Sequence, residues 1–526
     1  MLRKVLAALD EASLCWVAIG LGFLVLGMNR WLPGIDWGAV PSEQSVLDQA
    51  FISSLQNQDW SYGVVPGISQ TFGAHVLPQY LTVAVSQITG DAARAGLWLS
   101  VVGVVATLCG MYTLTQRIFP LRAFSVITLT VTGAIGTLQF AISPDPSSAL
   151  GMALVVWGMS FFLTAVTKLK PNDIFMCGFL FGLAGYVRIE LSVIGILLAL
   201  YLLVVSIVKA SVRDPHPYFA MSLGLLFTVA AVLWPMLDRN LSLAGSPILP
   251  GFDAELVLGA PRLSGQAGST PFSGRLLQGL KLLMFAPRGL GVFAGLLWPI
   301  GVGICLCTGR HKSIPYFWLP IVLGSLISLS TLSYVTGVTA FTESLLILTP
   351  MLFPFAVLPL AVAVYQWMQT GYRPLPFCRM CWIGAGILML LLVQLPHLVR
   401  VGGAGDSDLD RHRAALMAQF NALSDEDQSA MWMSDMPGTL LTAGKAEVIG
   451  TRGETDWRIL SAKYANGSFQ TDKLLNYLEQ RDVGLIHLSD PENPLIDELR
   501  LAAGAPRLEP VPGFSPPHRV FRVDRP

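Results

Sequence analysis

Eleven mostly apolar stretches divide the first 399 residues, near 13–30, 95–116, 122–140, 146–167, 173–187, 190–208, 217–236, 283–307, 314–334, 343–367 and 380–399. A membrane-spanning helix needs about 20 such residues. The pattern therefore predicts about 11 transmembrane helices. Arg188 and Glu190 interrupt what would otherwise be one long apolar run between the fifth and sixth stretches. Residues 75–90 are also apolar, but the stretch is short and contains Pro78, so it reads as a re-entrant or interfacial segment. In the first long loop, Val46, Leu47, Ala50, Phe51, Ser54 and Leu55 recur at helical spacing opposite Glu43, Gln44, Asp48, Gln49 and Gln56, the pattern of a helix lying on a membrane surface. From residue 400 the pattern changes. Met431–Met433, Glu447–Ile449, Gly484–Leu488 and Val520–Val523 read as strands, Thr471–Arg481 and Pro494–Ala503 as helices, and 400–410, with three glycines and three aspartates, as a linker. The expected architecture is a polytopic α-helical membrane domain over 1–399, with exterior loops 31–94 and 237–282, followed by a small soluble α/β domain over 400–526.

Composition sharpens this division. Only 13% of the 526 residues are charged, against about 25% in soluble proteins. Residues 1–399 hold 20 basic and 15 acidic residues, whereas 400–526 hold 14 and 19. A cytosolic enzyme, a disordered chain and an electrostatic nucleic-acid binder are excluded. The basic residues of the membrane part alternate between loops: Arg3/Lys4, Arg117/Arg122, Lys168/Lys170, Lys209/Arg213, Arg310/Lys312 and Arg373/Arg379. Short basic loops face the cytoplasm. The N-terminus is then cytoplasmic, and an odd number of spans puts 400–526 outside, in a plasma (inner) membrane. The first span follows a basic start without an A-x-A cleavage site and reads as an uncleaved anchor.

The seven cysteines fall in spans or at their cytoplasmic ends, so no exterior disulfide framework is expected. Cys378 and Cys381 have redox-pair spacing, but no second pair accompanies them, and two small residues at a helix start is the plainer reading. The exterior carboxylates suit a hard divalent cation in kind, yet none forms a tight D-x-D cluster, so no metal site or other cofactor is assigned.

Ionisable groups at or near a membrane are functional candidates. In so charge-poor a chain, those at the exterior face stand out: Glu43, His75, Asp145, Arg188, Glu190, Lys281, Arg288 and Glu343. Each also has a structural reading. Glu43 suits a helix start, Asp145 before Pro146 suits an N-cap followed by proline, and Arg188 with Glu190 suits a paired hinge. Lys281 and Arg288 suit headgroup anchoring, and Glu343 complements a helix dipole.

Several short runs follow in a telling order. Ser42-Glu43-Gln44 is followed by the surface helix and by Gln58-Asp59-Trp60. Then come His75-Val76-Leu77-Pro78, Thr89-Gly90, Ala93-Arg94-Ala95 and Ser143-Pro144-Asp145-Pro146. Gly182-Leu183 leads to Arg188-Ile189-Glu190, Pro235 and Asn240 precede Gly245 and Pro247, and Thr342-Glu343-Ser344-Leu345 opens a late span. This order resembles the GT-C class of membrane glycosyltransferases, and in pattern the protein O-mannosyltransferases and lipid A aminoarabinose transferases, over most of the chain.

The resemblance implies transfer of a sugar from a polyprenyl-phosphate donor to a glycan, lipid or protein acceptor at the extracytoplasmic face, with inversion. A first-loop carboxylate acts as general base. Glu43 and Asp145 are then the catalytic candidates, with His75, Arg188, Glu190, Lys281, Arg288 and Glu343 around the donor phosphate and substrate. Ser42 stands where the family has its aspartate, and a serine cannot act as this base. Two alternatives remain: a non-catalytic GT-C-like subunit that binds a lipid or a partner complex, and a transporter or flippase, against which no matching interrupted segments appear in the two halves.

Overall fold

The computed structural model describes residues 76–90, 92–119, parts of 125–142, 145–210, 216–244, 291–307, 347–369, 407–443, 448–451, 470–489, 495–500, 507–514 and 518–524, with isolated positions between them. Its first helix, α1 (Val76–Thr89), has 14 residues. At about 1.5 Å per residue that is too short to span a bilayer. Pro78 falls in the first turn, where its missing N–H is harmless. Thr82 and Ser86 are buried, and their hydroxyls donate back to the carbonyls of Pro78 and Val83, each at 2.8 Å. Gly90, at φ 74°, ends the helix with its N–H on the Ser86 carbonyl at 2.7 Å, the left-handed stop that favours glycine.

Seven longer helices follow: α2 (Ala92–Ile118), α3 (Ser147–Lys168), α4 (Pro171–Val187), α5 (Ile189–Ala210), α6 (His216–Ala244), α7 (Gly291–Cys307) and α8 (Thr349–Gln369). They coincide with seven of the eleven apolar stretches. Four, over Arg94–Ile118, Ser147–Lys168, Leu191–Val208 and Pro217–Asp238, are long and apolar enough to cross a membrane. The stretches near 13–30, 314–334 and 380–399 and the surface helix lie outside the described residues, as do the side chains of Cys15, Cys307, Cys378 and Cys381.

Packing at glycines and a few polar bonds set the direction of each helix. Gly103 lies against Ala149 and Gly110 against Val156, so α2 and α3 run parallel. The Trp157 indole donates to the Ala106 carbonyl at 3.0 Å, and the Arg117 guanidinium donates to the Ser160 carbonyl and hydroxyl. Gly158 meets the Phe181 ring and Gly151 meets Val187, so α4 returns antiparallel to α3. Gly195 meets Phe181 while Gly185 meets Ser192, which makes α4 and α5 a helical hairpin. Gly178, Gly182 and Gly185 face Thr228, Val232 and Leu233, so α6 runs parallel to α4. The Tyr186 hydroxyl donates to the Val232 carbonyl across that seam at 3.0 Å. Small residues that let backbones approach, joined by a few interhelical hydrogen bonds, are how helices associate where burial of apolar surface gives no drive.

Residues 407–524 carry an α/β arrangement. The elements are α9 (Ser407–Asn421), α10 (Asp425–Ser429), β1 (Met431–Ser434), α11 (Pro437–Thr442), β2 (Val448–Gly450), α12 (Thr471–Gln480), β3 (Val483–Leu488), α13 (Leu495–Arg500), β4 (Arg507–Pro510) and β5 (Arg519–Asp524). The sheet order is β2-β1-β3-β5-β4. β1 is parallel to β2 and β3, and β5 is antiparallel to β3 and β4. Strand alternation sends neighbours to opposite faces. Met433, Ile449, Ile486 and Phe521 pack with Leu474 and Leu478 of α12 and Leu495 and Leu499 of α13. Trp432, Val448, Leu485 and Val520 pack with Leu416 and Phe420 of α9 and Leu440 of α11. The parallel strands β1, β2 and β3 are buried on both faces, as strands of a covered parallel sheet are. One expectation is corrected here: residues read as a linker are helical from Ser407 onward, because Leu416 and Phe420, one turn apart, give α9 an apolar face on the sheet.

Candidate functional site

The loop before α3 and the break between α4 and α5 lie at the same end of the helix bundle. Gly151, in the second turn of α3, is the link. A Cβ built there would lie 3.6 Å from Val187 and 3.3 Å from Leu191, which flank Arg188, and 3.0 Å from Ile347, which leads into α8. Three helix N-termini, those of α3, α5 and α8, therefore open on one end. Unpaired N–H groups and the helix dipole make such ends favourable for anions.

Arg188 occupies the break. Its backbone is extended, at φ −151° and ψ 121°. Its N–H donates to the Ala184 carbonyl at 2.8 Å, closing α4, and its own carbonyl accepts the Leu191 N–H at 3.0 Å, opening α5. One residue thus closes one helix and starts the next, which is why the apolar run divides here. The side chain is only 3% exposed. A guanidinium is buried only where negative charge or oriented oxygens meet it. Ser192, in the first turn of α5, is buried too, a small hydroxyl close to the charged break that carries no signal of its own in the sequence.

Asp145 is half-buried in front of α3. Its Oδ1 accepts the Ser147 N–H at 3.0 Å and the Ser147 hydroxyl at 2.5 Å. The expected cap is therefore present but displaced by one residue. Pro146, not Asp145, holds the N-cap position, and Asp145 reaches past it to the first N–H of the helix. Asp145→Ala is expected to lower stability by ~1 kcal/mol, the worth of a lost cap. Asp145→Asn keeps an acceptor for Ser147 and should leave stability within ~0.5 kcal/mol. Thermal unfolding of the two variants in detergent checks this; equal losses in both would show that the charge, not the cap bond, holds the helix start.

The structure brings Asp145 and Arg188 to one end. Glu190 lies in the first turn of α5, with its side chain outside those described. Glu43, His75, Lys281, Arg288 and Glu343 lie outside the described residues. Among the described residues, no group of three or more His, Cys, Asp or Glu side chains is arranged to hold a metal ion.

Residues 75–234, which contain α1 through most of α6 with Asp145 and Arg188, match the family described as dolichyl-phosphate-mannose-protein mannosyltransferase. That is under a third of the chain. The fold is similar to that of the archaeal oligosaccharyltransferase AglB from Archaeoglobus fulgidus in complex with an inhibitory peptide and a dolichol-phosphate. The TM-score is 0.57 at 12% identity, over 91% of this chain and 69% of that one. The Archaeoglobus fulgidus oligosaccharyltransferase tethered with an acceptor peptide is matched at a TM-score of 0.55 and 12% identity, over 98% of this chain and 74% of that one. ArnT from Cupriavidus metallidurans bound to undecaprenyl phosphate is matched over 95% of this chain and 97% of that one, at 13% identity and a TM-score of 0.43. No curated protein matches the chain by sequence. The resemblance to the GT-C class is thus borne out: residues 75–234 match a mannosyltransferase family, the helical fold is similar to that of an archaeal oligosaccharyltransferase, and four of the described helices are long and apolar enough to cross a membrane.

Proposed function

We propose that the protein is a glycosyltransferase that moves a sugar from a polyprenyl-phosphate donor to an acceptor at the extracytoplasmic membrane face. The observation that carries this reading is the end of the bundle where α3, α5 and α8 begin, which holds the buried Arg188 at the α4–α5 break and Asp145 in front of α3. Such an end suits an anion that must be held while its charge grows. The family matched over 75–234 and the oligosaccharyltransferase fold agree with it.

In the proposed reaction a carboxylate takes the proton from the acceptor hydroxyl or amide, and the freed electron pair attacks the anomeric carbon. The bond from that carbon to the phosphate oxygen breaks, and polyprenyl phosphate leaves with the pair. One displacement inverts the anomeric centre. Glu43 is the base or shares that task with Asp145, since a carboxylate within hydrogen-bond reach of the acceptor can do this work. Arg188 and the helix N-termini stabilise the leaving phosphate, and His75, Lys281 and Arg288 add cations around it. Glu190 and Glu343 contact the sugar or acceptor. The basic residues of alternate loops carry the placement of Asp145 and Arg188 outside, of the N-terminus inside and of residues 400–526 outside, and the alternating directions of α3 to α6 agree with it. Ser42, at the family's aspartate position, favours a second reading, a lipid-binding subunit without turnover.

Both readings need lipid-phosphate recognition, and this is measured by titrating the purified full-length protein in detergent with polyprenyl monophosphate. Saturable binding that neutral polyprenol does not match is expected. Equal binding of the two lipids would show that no phosphate site exists and would remove the proposal.

A further inference from the structure

Two residues before Arg188, the Tyr186 hydroxyl crosses from α4 to α6. It donates to the Val232 carbonyl at 3.0 Å, and the Met236 N–H approaches the same oxygen. In an unbroken α-helix those two backbone groups bond to each other, since each N–H meets the carbonyl four residues back. Pro235 lies between them, inside α6. It has no N–H, so the Ala231 carbonyl loses its rung, and the proline ring presses on that carbonyl and opens the turn. A phenolic hydroxyl can donate and accept at once. The Tyr186 oxygen therefore stands as an inserted rung in the ladder of α6, at the turn that proline has already opened. Neighbouring side chains that enter a membrane helix at a proline satisfy the backbone groups it frees.

The place of that oxygen is set by close packing. A Cβ at Gly182 would fall on Val232 and one at Gly185 on Leu233, so α4 presents bare backbone to this turn of α6. Leu233 and Met236 are buried. Gly185 also meets Ser192, in the first turn of α5. The last turn of α4 is thus held against α6 on one side and against α5 on the other. Arg188 hangs on that turn. Its N–H donates to the Ala184 carbonyl, and its extended backbone carries the chain into α5.

We propose that Tyr186 is a positioning residue for sugar transfer: its hydroxyl, set into α6 at the Pro235 break, fixes where α4 ends and so where the Arg188 guanidinium stands. The proposal rests on the reading of Arg188 as the cation that meets the leaving phosphate. Tyr186 acts through Arg188 and not on the substrate, because its hydroxyl is engaged on α6. Phenylalanine at 186 keeps the ring and loses the oxygen. The Met236 N–H then closes directly on the Val232 carbonyl, the turn of α6 tightens, and the end of α4 is left without its tie. A displacement of about 1 Å caused by a change away from the chemistry can cost on the order of 100-fold in rate. An ordinary interhelical hydrogen bond behaves differently: its loss lowers stability and does not single out kcat.

The test is a double-variant cycle in the purified full-length protein in detergent. It is read as kcat and KM for transfer from a polyprenyl-phosphate donor, with hydrogen exchange over 186–192 on the same samples. Tyr186→Phe is expected to lower kcat about 10- to 100-fold, with KM within about twofold. Exchange over 186–192 should become faster. In an Arg188→Met background the same change should have no further effect on kcat, because the group it places is gone. Wild-type kcat in Tyr186→Phe, or an equal loss with and without Arg188, overturns the proposal. Pro235→Ala restores the missing N–H, closes the ladder and expels the hydroxyl, so it should reproduce both the loss in kcat and the faster exchange. Should Tyr186→Phe not fold, Pro235→Ala decides, and wild-type kcat there overturns the proposal. Absence of turnover in the wild type removes the transferase reading itself. The tie between Tyr186 and the end of α4 then stands if 186–192 exchanges faster in Tyr186→Phe and falls if it does not.

Discussion

Replacing Arg188 with methionine is expected to lower sugar transfer by about 100-fold or more, the usual loss when one donor to a developing oxyanion is removed. The expectation follows from place and burial together. The guanidinium is at a helix break, 3% exposed, at the end where α3, α5 and α8 begin. Negative charge grows on the leaving phosphate in the transition state, so the loss should fall on kcat more than on KM. Methionine fills similar volume, and the backbone bonds of residue 188 to Ala184 and Leu191 do not involve the side chain, so the α4–α5 hairpin should persist. Lysine should restore a part of the rate, because it keeps the charge but not the planar fork that meets two phosphate oxygens. The rates are read with thermal unfolding on the same samples. A methionine variant with wild-type kcat and KM would remove Arg188 from the donor site and leave it a structural hinge.

Alanine at Gly301 has the largest expected effect on folding. Gly301 is in α7, and a Cβ built there would fall onto the carbonyl group of Phe355 in α8. The obstacle is backbone, so no rotamer change relieves it. The two helices must move apart at a buried contact, and a loss of about 3 kcal/mol or more is expected, at the upper end of overpacking effects. Gly303, two residues on, meets nothing within 4 Å. Alanine there should be neutral, or stabilising by ~0.5–1 kcal/mol through helix propensity. Unfolding temperatures of the two variants in one detergent decide this. Equal temperatures would mean that α7 and α8 do not pack as described.

Helix boundaries in the membrane part were legible because apolar runs and their charged breaks are local. The stretches 146–167 and 190–208 fall within a few residues of Ser147–Lys168 and Ile189–Ala210, and Arg188 marks the break itself. Four strands were legible for the same reason, as short apolar runs between turn residues. The strand β4 was not, because Arg507–Pro510 is an edge strand without an apolar alternation. Relations between distant positions were not legible either. Nothing local says that Gly182 faces Val232, or that His487 and His518, 31 positions apart, share a hydrogen bond. The candidate site was read from the sequence as a set of exceptional charges, of which Asp145 and Arg188 have described side chains. What the fold adds is that Asp145 and Arg188 lie at one end, and that Asp145 already serves as a helix cap, a role any catalytic use must accommodate.

The central claim is sugar transfer, and it is tested most directly by incubating the purified full-length protein in detergent with polyprenyl-phosphate donors carrying labelled sugars. The account predicts time-dependent release of polyprenyl phosphate and labelled product, lost by at least ~100-fold in Glu43→Gln if that carboxylate is the base. Full activity in Glu43→Gln would move the base to Asp145 or another carboxylate. Tight binding of the donor with no turnover of any labelled sugar would contradict the claim and leave a lipid-binding subunit of GT-C fold.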